Sequence, residues 1–157
     1  MSQPEPAQEH LEYVGFWARV WASVIDTVLV LLLTTPLLGF YYGWDRVVGL
    51  GGGAEGWFAN LVTWVLPAIA VILFWRFRSA TPGKIAIGAR IVDARTGGVP
   101  SSAQLIVRYL GYFVSTIPFG LGLIWVGIDA RKQGWHDKLA RTVVVREKRG
   151  PQPVRFG

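Results

Sequence analysis

From Thr27 to Trp44, and again from Gly56 to Trp75, the chain runs without a single charged residue. Water-soluble helices seldom do this, because one face must stay polar. A helix of about 20 residues crosses the roughly 30 Å hydrocarbon layer of a bilayer. The stretch from Trp57 to Trp75 therefore reads as a transmembrane helix. The stretch from Val20 to Leu38 reads as a second, provided that the carboxylate of Asp26 can be accommodated within it. Composition agrees: 52% of the 157 residues are hydrophobic and only 17% are charged. The first 18 residues contain no Lys or Arg but include Glu5, Glu9 and Glu12. A cleavable signal needs a basic start, so the first helix is expected to be retained.

Sixteen Lys and Arg stand against ten acids. Placed beside apolar spans, this surplus points to anionic lipid headgroups and membrane topology, not to nucleic acid. Between Gly39 and Gly56 the only basic residue is Arg46, whereas Arg76, Arg78, Lys84, Arg90 and Arg95 follow the second span. The positive-inside rule then puts this second segment, and with it the N-terminus, in the cytoplasm. The intervening GLGGGAEG, Gly49 to Gly56, reads as a flexible connector on the other side.

A third apolar segment, Leu105 to Ile128, contains Arg108 and is interrupted by Pro118, Gly120 and Gly122. The tail after it is again basic, which a single crossing would put outside. Two short helices around a break, forming a re-entrant or interfacial hairpin, are expected in preference to a third full span. The β-branched stretches ARIVDA (89–94) and RTVVVR (141–146) are strand-like and can pair only if they share a side.

Arg19 and Asp26 in the first span, TPGKIAIGARIVD (81–93) after the second, and QGWHDKLARTVVV (133–145) near the end make the chain resemble the RDD family of bacterial membrane proteins, over about residues 14 to 146. Arg19 and Asp26 match the first two letters of the family name. The third is placed at Asp137, with Asp129 as the second candidate. The resemblance implies a bacterial inner-membrane, multi-pass location. It says little about function: some members are implicated in sodium or proton exchange, others are accessory proteins.

Seven residues separate Arg19 from Asp26, which puts them on nearly one helix face about 10 Å apart along the axis. Arg19 is expected to snorkel to the cytoplasmic headgroups, leaving Asp26 as the deeper charge. A carboxylate at a span centre costs about 2.5–3.5 kcal/mol on insertion scales and so calls for a partner or a function. The expected partner is Arg108. The alternative is a proton or cation carrier. In TPGKIAIG, Thr81 is an N-cap, Pro82 opens a short helix and Gly88 ends it. Lys84 does not belong to a phosphate loop, because Arg78 and Ile85 stand where glycine and Ser or Thr are required. Lys84 and Arg90 are instead expected near headgroups on a membrane-surface helix. His136 beside Asp137 lacks a second ordered histidine or an HExxH pattern, so Asp137 is expected to anchor the turn into the last strand. Trp57 and Trp75 are expected to bracket the second span at the two interfaces, and Trp17, Trp21 and Trp44 to mark the ends of the first.

These observations define an all-α membrane protein with two transmembrane helices, a Pro/Gly-broken third helical segment and a small cytoplasmic β pair. Residues 1–13 are expected to be a mobile N-terminus, 14–146 the membrane domain and 147–157 a disordered basic tail. With no cysteine, no nucleophile elbow and no metal cluster, neither an enzyme nor a cofactor is expected. The function expected is an accessory membrane component that binds a membrane-protein partner or a second copy of itself. The alternative is an oligomeric exchanger using Asp26.

Overall fold

The computed structural model describes residues 10–49 and 54–148. Residues 1–9, 50–53 and 149–157, on which the expectations of a mobile start, a flexible connector and a disordered tail largely rest, lie outside the described residues.

Strand β1 (Leu11–Tyr13) leads into α1 (Phe16–Tyr42), whose 27 residues are about 40 Å long. A second long helix, α2 (Trp57–Arg78), returns across the same span. Both are mostly exposed within the chain and far more apolar than a soluble protein tolerates. Leu32, Phe40, Trp64 and Phe77 face outward, where lipid would lie. Two hydroxyls on α1 are satisfied within the helix, Thr27 donating to the Ser23 carbonyl and Thr34 to that of Val30. In α2, a π-helical turn at Leu61–Val65 immediately precedes Pro67. Proline lacks an N–H and its ring would meet the carbonyl four residues back, so the widened turn relieves both problems without breaking the span.

After α2 come a short helix α3 (Pro82–Ala86), strand β2 (Ala89–Asp93) and helix α4 (Ser102–Thr116). Helix α4 opens on a reciprocal capping box: Ser101 accepts from the Gln104 N–H while Gln104 Oε1 accepts from that of Ser101. Gln104 also donates to Asp93, tying the start of α4 to the end of β2. At Pro118–Gly120 the chain turns by 113° into a second helical piece, α5 (Leu121–Gly127). Proline prevents continuation of α4 and Gly120 takes a left-handed φ of 74°. Gly122 then packs so closely on Ser115 that a Cβ there would lie 2.7 Å from the Ser115 Cα. The two arms are thereby clamped together as a broken segment. Helix α6 (Trp135–Ala140) and strand β3 (Thr142–Glu147) complete the chain.

Strand β2 pairs antiparallel with β3, with Ile91 opposite Val144 and Val92 opposite Val143, as the β-branched stretches led us to expect. The sheet is nevertheless larger than a pair. Strand β1 adds to the other edge of β3, giving the order β1-β3-β2 and putting Leu11–Tyr13 in register with Val145–Glu147. Residues 11–13 are thus built into the fold, not part of a mobile start. The three-residue strand is too short to carry a periodic signal, and its pairing is fixed by β3 and by the Glu12–Arg146 ion pair. Alternation along β3 sends Val144 to one face and Val143 and Val145 to the other. The Val144 face, with Val14, Ala89 and Ile91, packs on Trp75 and Leu105 at the ends of α2 and α4. Trp75 is 2% exposed, against 73% for Trp57. Of these two, Trp57 is free to anchor at an interface, whereas Trp75 belongs to the core.

Candidate functional site

The charged residues of the sequence motifs fall into two sites. The first is built around Asp137 in the first turn of α6. Its side chain is fully buried. Oδ2 accepts from Arg19 Nη1 at 2.6 Å and from the Gly134 backbone N–H at 3.1 Å, while Oδ1 accepts from Arg108 Nη1. Asp137 therefore caps its own helix and anchors two guanidinium groups from other helices. Arg19 is half-buried and uses all its nitrogens: Nε donates to the Val14 carbonyl at 3.0 Å and Nη2 to that of Lys132 at 2.5 Å. It turns into the protein and not to headgroups, because three fixed acceptors outcompete solvent at the entrance of α1. Arg108, completely buried on α4, also donates to the Thr142 hydroxyl at 2.7 Å. Its guanidinium lies 5.4 Å from the centre of the Trp75 ring and 5.9 Å from that of Tyr112.

The expected pairing of Arg108 with Asp26 is thus replaced by Arg108 with Asp137. The helix that packs against α4, and so against Arg108, is α6 and not α1. Asp129 stays apart from this cluster. It ion-pairs with Lys138 at 2.5 Å and accepts from the Arg131 and Gln133 backbone, bracing the turn before α6.

His136 lies beside Asp137, nearly parallel to the Tyr112 ring with centroids 4.0 Å apart. Its backbone N–H donates to Ser115 Oγ at 3.1 Å, and Ser115 Oγ is 3.3 Å from Nδ1. With the Ser115 hydroxyl donating to Nδ1, the imidazole proton resides on Nε2, facing Asp137 Oδ2 at 3.5 Å. Burial pushes the His136 pKa down to about 3; the pull of Asp137 is opposed by Arg108, Arg19 and Lys84. The ring is therefore neutral at physiological pH. Burial alone would raise the Asp137 pKa, but Arg108 and Arg19 hold it far below the ordinary carboxylate range, so it stays ionised.

The second site holds Asp26. Its Oδ2 accepts from the Thr81 hydroxyl at 2.5 Å and its Oδ1 from the Gly83 N–H at 2.7 Å. Thr81 precedes α3 and Pro82 opens it, as the sequence indicated. The free N–H groups of that first turn are what an intramembrane carboxylate can use. Glycine is required for the approach: a Cβ on Gly83 would lie 1.9 Å from the Ala22 carbonyl oxygen. Thr81 and Gly83 are the partners that sequence reasoning missed. The unspent donors at the start of a short helix after the second span were the available signal.

Arg90 is exposed on β2, whereas Lys84 is 6% exposed and does not lie at the surface as a headgroup contact. Docking of Gly83 against α1 carries the next residue inward, a consequence that the amphipathic pattern of five residues cannot reveal.

A family model described as the RDD family matches residues 13–141. The chain belongs to the RDD family. Among similar proteins, the uncharacterized membrane protein YteJ of Bacillus subtilis (strain 168) is 29% identical over 87% of this chain and 82% of its own length. YckC of the same organism, also uncharacterized, is 32% identical over 83% and 82%. The uncharacterized protein RP437 of Rickettsia prowazekii (strain Madrid E) is 37% identical over 48% of this chain, which spans only 41% of that relative. No solved structure matches. Family membership and the two apolar helices make this a membrane protein, and the RDD match includes Arg19, Asp26 and Asp137 within its bounds.

Proposed function

We propose that this RDD-family protein is a non-enzymatic accessory component of the bacterial inner membrane, acting by binding within the bilayer and not by turnover or transport. The observation that carries this reading is that both motif acids are already committed. Asp26 is held by Thr81 and Gly83, and Asp137 by Arg19, Arg108 and its own helix start. A carrier must release its ligands in every cycle, and a catalytic acid or base needs a free lone pair or a proton that leaves near neutral pH. Ser115 and His136 are buried against each other, which favours a packing role for both. The partner is a second membrane protein or another copy of this chain, a role that needs no conduction path and suits so small a bundle.

The 113° turn in the third segment and the shared sheet favour a hairpin that enters and leaves on one side. Strands β1, β2 and β3 flank the two spans and the hairpin, so two full crossings bring all three to one face. The basic stretch from Arg76 to Arg95 favours the cytoplasmic face.

The alternative, an oligomeric cation or proton exchanger using Asp26, requires Thr81 and Gly83 to let go of the carboxylate. Proton and sodium flux in proteoliposomes tests it. Wild type and Asp26→Asn are both expected to match empty liposomes. Flux in wild type that disappears in a well-folded Asp26→Asn variant would overturn the accessory reading.

A further inference from the structure

A cavity of about 530 Å³ opens between α1 and α5. That is within the range of about 300–1,000 Å³ typical of ligand pockets. Its wall is apolar along α1 and α5, through Val20, Val24, Val28, Leu123 and Ile124, and its polar lining includes Arg19, Lys84, Tyr112 and His136. Lining residues of α1 run from Phe16 to Val28, a length of about 18 Å along the axis. The cavity thus has the proportions of a chain with a polar end.

Lys84 decides what that end carries. Its side chain is more than nine-tenths buried, lines the cavity, and makes no hydrogen bond or ion pair among the described residues. Its neighbours do not supply the missing charge. Asp137 is shared by Arg19 and Arg108, and His136 is neutral. Asp26, beside Gly83 on the same turn, is occupied by Thr81 and the Gly83 N–H. Even with Asp26 counted, Arg19, Lys84 and Arg108 outnumber the acids. Lys84 thus lines a largely apolar cavity with no acid of its own among the described residues, and an anion brought there gains a charge-assisted hydrogen bond from it.

We propose that this cavity binds one anionic membrane lipid, with its acid group on Lys84 and an acyl chain along the Val20–Val28 face of α1. The reading rests on the protein acting by binding within the bilayer, and it names what is bound. Since α1 is an outer helix, the lipid reaches the cavity laterally, and the bound molecule would become part of the surface offered to a partner.

The test is native mass spectrometry of the detergent-purified full chain titrated with phosphatidylglycerol or phosphatidylcholine, with melting midpoints as a second readout. Wild type is expected to retain phosphatidylglycerol at least tenfold better and to melt higher in its presence. Lys84→Met is expected to stay folded, lose the preference and lose the lipid-dependent rise in midpoint. Val24→Trp, which fills the cavity but keeps the cation, is expected to lose retention of both lipids. Equal retention of the two lipids by wild type, or an unchanged preference in Lys84→Met, would overturn the proposal. Displacement of the lipid by millimolar inorganic phosphate would also overturn it, marking a site for a free anion. The readouts do not involve transport: a protein that conducts ions yet holds the lipid loses only the accessory reading, and one that neither conducts nor discriminates loses only this site.

Discussion

At the scale of residues, the fold is held by acids used as anchors. Asp137 collects donors from α1, α4 and the start of α6, so one carboxylate fixes three elements. Arg108 Nε and Nη2 are buried without a hydrogen-bond partner among the described residues, and the guanidinium depends on Asp137, Thr142 and the rings of Trp75 and Tyr112. Removing the anion leaves two guanidinium groups uncompensated, one of them fully buried. Asp137→Ala is therefore expected to cost about 3–5 kcal/mol, as for other broken buried pairs. Replacing Arg108 by Met in that background is expected to recover part of the loss. Chemical unfolding of the four proteins of this double-mutant cycle in detergent would read the coupling, and additive losses would contradict it. Arg19 and Asp26 stood out in the sequence because charges at or inside an apolar run are conspicuous, and Asp137 through the family resemblance. Their partners did not, since Thr81 and Gly83 are more than fifty positions from Asp26 and carry no charge.

At the scale of elements, the spans follow from length and apolarity, whereas the third segment is shaped by its break. Pro118 and Gly120 permit the turn, and the Gly122–Ser115 contact closes it. With β1, β2 and β3 hydrogen-bonded in one sheet, the segments before α1, after α2 and after α6 are expected on one side of the membrane. The absence of cysteine from the sequence makes this simple to measure. Single cysteines at Arg90 and Glu147 are expected to react with an impermeant maleimide from one side, and a cysteine at Asp45 from the other. Labelling of Glu147→Cys from the Asp45 side would mean that the hairpin crosses fully. The pairing of β2 with β3 was legible because both are β-branched runs of five or six residues. Strand β1 was not, because three residues acquire strand geometry only from a neighbour's unpaired edge.

For the whole molecule, the buried His136 imposes a pH dependence. In the folded chain its pKa is about 3, against about 6.5 in a water-exposed imidazole. As pH falls below about 6.5, the unfolded chain takes up a proton that the folded chain refuses. Stability is then lost progressively down to about pH 3, with a slope of at most about 1.4 kcal/mol per pH unit. Asp137 has the same sign but a lower window. Its depressed pKa supplies stability that is complete above the ordinary carboxylate range and lost only as the pH falls through and below it. Melting midpoints in detergent should therefore fall between pH 7.5 and 5 in wild type. The His136→Gln variant should be less stable at pH 7.5 but nearly flat over the same range. An equally steep fall in that variant would assign the dependence to another group.

Sequence alone determined the membrane-spanning helices, the broken third segment, the β2–β3 pair and the family, because these depend on local composition, chain punctuation and ordered motifs. Which charge meets which was decided only in three dimensions. Seven residues put Arg19 and Asp26 on nearly one face of α1, with Arg19 expected at the headgroups and Asp26 expected on Arg108. The turn after α4 instead lets α6 pack on α4, within reach of the Arg19 side chain, giving Arg19 and Arg108 to Asp137 and leaving Asp26 to the start of α3. Docking of Gly83 on Ala22 likewise carries Lys84 from an apparent surface position into the cavity. Ion pairs between distant elements follow from packing, and no periodicity within either element encodes them.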